Sequence, residues 1–201
     1  MNKLIMILMA TLTLFACSSD KTTIISRVVD SNTSDQTTTI SRVVDAKTSD
    51  ETITISRVVD GDTFDVKYAS GNIDRIRLLG VDTPETYSKN RPDEYEGITN
   101  IQCLDKWGEK VTNYAKDILA NNTVILTSDP ITKERDYYDR LLSYIEIDGK
   151  DFSAMLLENG YARVYTESKI SRTDSYLILE ENAKKNKVGL WGCPALPMNI
   201  D

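Results

Sequence analysis

Apolar and polar positions change rhythm several times along the chain. Leu4 to Ala16 is an almost unbroken apolar run behind Lys3, closing on Leu14-Phe15-Ala16-Cys17. It is shorter than the ~18 residues a membrane-spanning helix needs. Only Thr11 and Thr13 interrupt it, too little to leave the polar stripe of a core helix. It therefore reads as the apolar region of an export signal. From residue 52 the pattern alternates. Ile53 to Val59, Thr63 to Tyr68 and Ile73 to Gly80 predict three strands, separated by a Gly-Asp turn and by Ser70-Gly71-Asn72. The polar, Gly- and Pro-containing stretch 86–101 predicts a loop. A helix is predicted from Leu104 to Leu119, with Trp107, Val111, Tyr114, Ala115 and Ile118 on one face. Thr123 to Thr127 and Arg140 to Ile147 read as two more strands. Ser153 to Asn159 reads as a short helix stopped by Gly160, and Thr173 to Lys187 as a last one. The class is α+β. Five strands with a helix inserted before the fourth predict an OB-fold β-barrel with about three helices.

A repeat lies between the export signal and the first strand. Thr22 to Asp30 recurs as Thr37 to Asp45 and as Thr52 to Asp60, with Ser26, Ser41 and Ser56 in register. Only the third copy continues into Gly61-Asp62; the others continue into Ser31-Asn32 and Ala46-Lys47. The period is too short for a solenoid, whose units need ~20 or more residues. The third copy is expected to be the domain's first strand, and the other two its duplicates within a polar tether. The expected division is therefore a signal peptide at 1–17, a flexible linker at 18–51 and one domain at 52–201. The end of the signal resembles a bacterial lipobox, which would put an acyl chain on Cys17 and anchor the protein to the membrane outside the cytoplasm. Phe15 is an unusual occupant of that motif, and plain secretion is the alternative.

Composition removes whole classes of chemistry. The chain has no His, which excludes a His general base, His-ligated zinc and the Ser-His-Asp and Cys-His hydrolases. With Cys17 lipidated, Cys103 and Cys193 remain as a pair in an oxidising compartment, so a disulfide is expected; two separate buried thiols are the alternative. The net charge is −7, against the basic balance usual in nucleic-acid binders.

The candidate chemistry is concentrated in Arg77-Leu78-Leu79-Gly80-Val81-Asp82-Thr83-Pro84-Glu85. Pro84 ends the strand and delivers Asp82 and Glu85 to its tip, with Arg77 a few residues back. Carboxylates beside a guanidinium suit a hard metal ion and an anionic substrate. The same residues also read as a helix N-cap with Pro at the first helical position. Asp60-Gly61-Asp62-Thr63 lies upstream and Asp136-Tyr137-Tyr138-Asp139-Arg140 downstream. With those three motifs in order, residues 52 to 193 resemble the staphylococcal nuclease-like (thermonuclease) domains.

The resemblance implies an OB-fold enzyme that hydrolyses phosphodiester bonds of DNA and RNA with Ca2+, here as a lipid-anchored monomer. Carried over to this sequence, Asp62 and Asp82 are the calcium ligands, with Thr83 supplying a main-chain carbonyl. Glu85 orients or deprotonates the attacking water. Arg77 and Arg140 bind the scissile phosphate. Tyr138 contacts the nucleotide, and Tyr165 is expected nearby. Asp139 departs from the pattern, standing where the family has Gly before the second Arg. Plainer readings exist for each site: hairpin-turn residues for Asp60 and Asp62, a surface charge for Arg140 and a structural ring for Tyr138. The function classes left open are the nuclease, a non-catalytic OB-fold binding lipoprotein and a phosphodiesterase acting on small nucleotides.

Overall fold

The computed structural model describes residues 52–91 and 94–194. The expected signal peptide, Cys17 and the linker with its two duplicates lie outside the described residues.

Three antiparallel strands open the domain: β1 (Ile53–Val58), β2 (Thr63–Tyr68) and β3 (Ile73–Leu78). Alternation drives them, with Ile55, Phe64, Val66 and Ile76 fully buried. The register of β1 slips between Ile55 and Arg57, a bulge that bends the strand. At the first turn the N–H groups of Val59 and Asp60 both donate to the Thr63 carbonyl. The predicted third strand divides at Gly80 (φ +77°), and a two-residue strand β4 (Val81–Asp82) follows. A Cβ on Gly80 would stand 2.3 Å from the Ile170 side chain, so only glycine fits there.

Helix α1 (Ile101–Leu119) begins three residues before its predicted start, because the Asn100 side chain accepts the Cys103 N–H at 3.1 Å and caps it. Its buried stripe is Leu104, Gly108, Val111, Ala115 and Leu119. Strand β5 (Thr123–Thr127) pairs with β1 and with β6 (Leu141–Ile147). The parallel pairing of β3 with β6 then closes a five-stranded mixed barrel. A short strand β7 (Lys150–Asp151) leads into α2 (Phe152–Glu158), which Asp151 caps. Strand β8 (Arg163–Val164) pairs with β4, and α3 (Thr173–Lys185) and a 3-10 turn at Gly189–Gly192 complete the domain. These three helices and the barrel are the α+β OB architecture.

Cys103 and Cys193 form a disulfide with Cα atoms 5.9 Å apart. It closes a small second core of Tyr95, Ile98, Leu104 and Leu190, packed by Trp107 and Trp191.

Candidate active site

The end of β3, the β1–β2 turn, β4, β8 and the turn before β6 converge on one cleft of about 750 Å³. Asp62, Arg77, Asp82, Thr83, Glu85, Tyr138, Arg140 and Tyr165 all line it. The first-helical-turn reading of Pro84 is overturned, because residues 83–85 carry no helix. The peptide is tied elsewhere, and capping plays no part.

Arg77 lies at the centre and is largely buried. Its Nη2 donates to Asp82 Oδ1 at 2.8 Å. Its Nη1 stands 2.7 Å from Asp62 Oδ2 without hydrogen-bond alignment, and among the described residues Nη1 is a buried donor with no hydrogen-bond partner. The ion pair with Asp62 offsets part of the cost of burying that donor. Asp62 Oδ2 also accepts the Thr83 N–H at 2.9 Å and its hydroxyl at 3.1 Å, which joins the first turn to the tip of β4.

Burial, and then the neighbouring Asp62, pushes the Asp60 carboxyl up to about 7. Burial raises Asp82 to about 6 although Arg77 pulls it the other way. In both carboxyls removal from water is the largest cause of the rise. Among the described residues no three His, Cys, Asp or Glu side chains converge to hold a metal ion. Asp62 and Asp82 are nevertheless oxygen donors of the hard kind that a calcium ion would take, and both already face the Arg77 guanidinium.

Glu85 stands at the mouth, exposed. Ser88 donates to its Oε2 at 2.8 Å and leaves Oε1 open. Its backbone is held from both sides by Asn90, which is 1% exposed. Asn90 Oδ1 accepts the Glu85 N–H at 2.7 Å, while Nδ2 donates to the Glu85 carbonyl at 3.1 Å and to Asp105 of α1 at 2.8 Å. Gly108 lets this loop lie on α1, since a Cβ there would be 2.4 Å from the Glu85 carbonyl oxygen. Gly108→Ala should therefore destabilise the domain by about 1–3 kcal/mol as overpacking does. A glycine in a helix interior otherwise gains roughly 1 kcal/mol from that change. A thermal melt showing stabilisation would contradict this packing.

On the opposite wall, Arg140 Nε donates to Asp136 Oδ2 at 2.7 Å, so its Nη edge is oriented but uncommitted. Asp136 Oδ1 accepts the N–H groups of Tyr138 and Arg140, both at 2.9 Å. Asp139 takes φ +62°, the left-handed conformation that favours Gly and that Asp, like Asn, tolerates better than most other residues. Tyr138 lies against Arg140 at 5.5 Å. Tyr165 instead lies against Arg77 at 6.0 Å and Arg163 at 5.6 Å, so the expected Tyr138–Tyr165 proximity is a shared cleft without a ring contact.

Two residues of the site, Asn90 and Arg163, carry no signal in the sequence, and Asn90 falls inside the polar loop expected at 86–101. Arg163 is 8% exposed, donates from Nε to Asp82 Oδ2 at 3.0 Å and pairs with Glu167 at 2.9 Å. The β4–β8 register that sets Asp82 opposite Arg163 spans 81 residues and leaves no local signal.

The model of the family described as staphylococcal nuclease homologue matches residues 75–193. An uncharacterised protein of Methanocaldococcus jannaschii is 42% identical over 131 residues, covering 61% of this chain and 63% of that one. Endonuclease YncB of Bacillus subtilis is 32% identical over 124 residues, 61% of this chain and 53% of its own. The thermonuclease of Staphylococcus intermedius is 31% identical over 125 residues, 60% of this chain and 65% of its own. The chain thus spans less than two thirds of the length of each of these relatives. The family match begins at residue 75 and leaves out the Asp60–Thr63 turn, which the barrel returns to the same cleft. This chain belongs to the staphylococcal nuclease homologue family.

Proposed function

We propose that this protein is a Ca2+-dependent endonuclease that hydrolyses phosphodiester bonds of DNA and RNA. The observation that carries the reading is the pair of guanidiniums, Arg77 and Arg140, facing one cleft beside Asp62, Asp82 and Glu85. The curated relatives named endonuclease and thermonuclease support the reaction class.

Asp62, Asp82 and the Thr83 main-chain carbonyl would hold the calcium ion. When bound, the ion supplies Lewis-acid charge to a phosphoryl oxygen and restrains a water for in-line attack. Arg77 Nη1, ion-paired with Asp62 but not aligned for a hydrogen bond, would donate to a phosphate oxygen. Arg140, fixed at Nε by Asp136, presents its Nη edge to the same group, so both cations meet charge that grows in the transition state. Glu85 accepts the proton of the attacking water at Oε1, the oxygen that Ser88 leaves open. Arg163 neutralises the far oxygen of Asp82.

We further propose export by the segment 1–17, with Cys17 as the lipid anchor to the membrane and residues 18–51 as a spacer. The Cys103–Cys193 bridge supports this, since disulfides persist in oxidising compartments.

Incubating the purified protein with plasmid and single-stranded DNA, in calcium or in chelator, tests the function. Cleavage only with calcium is the expected result. Binding without cleavage under every calcium condition would favour a non-catalytic OB-fold binding module instead.

A further inference from the structure

The turn before β6 presents two aromatic rings. Tyr137 is 91% and Tyr138 75% exposed, and both line the cleft. The rings meet edge to face, with centroids 5.5 Å apart and planes at 86°. Their backbone is held firmly. The Asp136 N–H donates to the Arg140 carbonyl and the Asp139 N–H to the Asp136 carbonyl. Arg135 donates to the Asp139 carbonyl at 2.7 Å and pairs with Asp74 of β3 at 2.6 Å, tying the turn to the barrel wall.

Tyr138 has the Arg140 guanidinium against its ring and Tyr137 against it as well. Tyr137 meets the Tyr138 ring and is the most exposed of the three tyrosines that line the cleft. A rigidly mounted, exposed aromatic next to a phosphate-binding arginine suits the flat face of an unpaired base, and stacking of this kind tolerates any base. The chain's net charge of −7 provides little long-range attraction for a polyanion, so contacts of this uncharged kind carry a larger share of capture.

We propose that Tyr137 is a base-stacking platform for single-stranded nucleic acid, seating the base next to the phosphate held by Arg140. The inference rests on the proposed reaction at the same cleft, and its test is made without turnover. In chelator, the affinity of the full chain for a fluorescent single-stranded oligonucleotide is compared with that for an abasic strand of equal length. Tyr137→Ala should weaken binding to the base-bearing strand about tenfold, the scale of one base–aromatic stack. It should leave the abasic strand unchanged, and Tyr137→Phe should bind as the wild type does. The melting temperature of Tyr137→Ala should not move, because the ring is exposed.

Equal binding of the base-bearing strand by wild type and Tyr137→Ala would overturn the proposal. So would an equal loss on the abasic strand, which would make the residue a prop for the turn. If the wild type fails to cleave DNA with calcium while the stacking difference persists, the reaction fails and this inference stands. If the wild type cleaves and the stacking difference is absent, the reverse holds.

Discussion

Arg77→Ala should lower kcat by about two to three orders of magnitude, and Arg140→Ala by a comparable factor. Removal of a preorganised donor that meets transition-state charge has effects of this size. The two variants should differ in a second respect. Arg77 sits between the buried Asp62 and the half-buried Asp82, so its loss removes the cation shared by both carboxylates and should also lower the melting temperature. Arg140 is more exposed than Arg77 and pairs with the single carboxylate of Asp136, so its loss should move the melt less. Glu85→Gln should cut turnover with no change in melting, because Glu85 is exposed and the contacts of Asn90 are to its backbone. Steady-state kinetics with thermal melts on the three variants separates these effects. Wild-type turnover in Glu85→Gln would refute the base assignment.

Opening the Cys103–Cys193 bridge should cost on the order of 2–5 kcal/mol, the range typical for a native disulfide. The bridged residues are 90 apart in sequence, and a long loop restrains the unfolded chain most. For a domain of this size that corresponds to a fall in melting temperature of roughly 10 °C. The change should reach the site as well. Tyr95 of the small second core packs 6.0 Å from the Arg163 guanidinium, which in turn holds Asp82. Melts with and without reductant, and of the Cys103→Ser, Cys193→Ser double variant, check this. An unchanged melt together with two titratable thiols in the folded protein would contradict the bridge.

What the sequence made legible was whatever repeats locally. Strands β1, β2, β3 and β5 announce themselves by alternation, and Thr63–Tyr68 and Thr123–Thr127 coincide with their predicted bounds. The stripe of α1 predicts the helix but misplaces its start, because the cap lies in Asn100 outside the stripe. Strands β4, β7 and β8 have two residues each, too few to show any period. Their pairings are the ones that build the site, so Arg163 gave no warning in a run that reads Tyr161-Ala162-Arg163-Val164-Tyr165. Asn90 is similar: its meaning comes from the Glu85 backbone and from Asp105, fifteen residues on. Asp139 stands where the resemblance leads one to expect Gly, and its left-handed backbone is the reason a glycine would suit that position.

A calcium ion and a phosphate are proposed to meet beside Asp62, Arg77 and Asp82. The most direct measurement is the affinity of the Glu85→Gln variant for a single-stranded oligonucleotide, in calcium and in chelator, with the strand left uncut. Calcium should tighten binding roughly tenfold or more, about 1.4 kcal/mol of coupling between the two ligands. Asp62→Asn, made in the same background, should remove that gain while leaving the affinity in chelator nearly unchanged. Equal affinity of Glu85→Gln in calcium and in chelator would contradict the account.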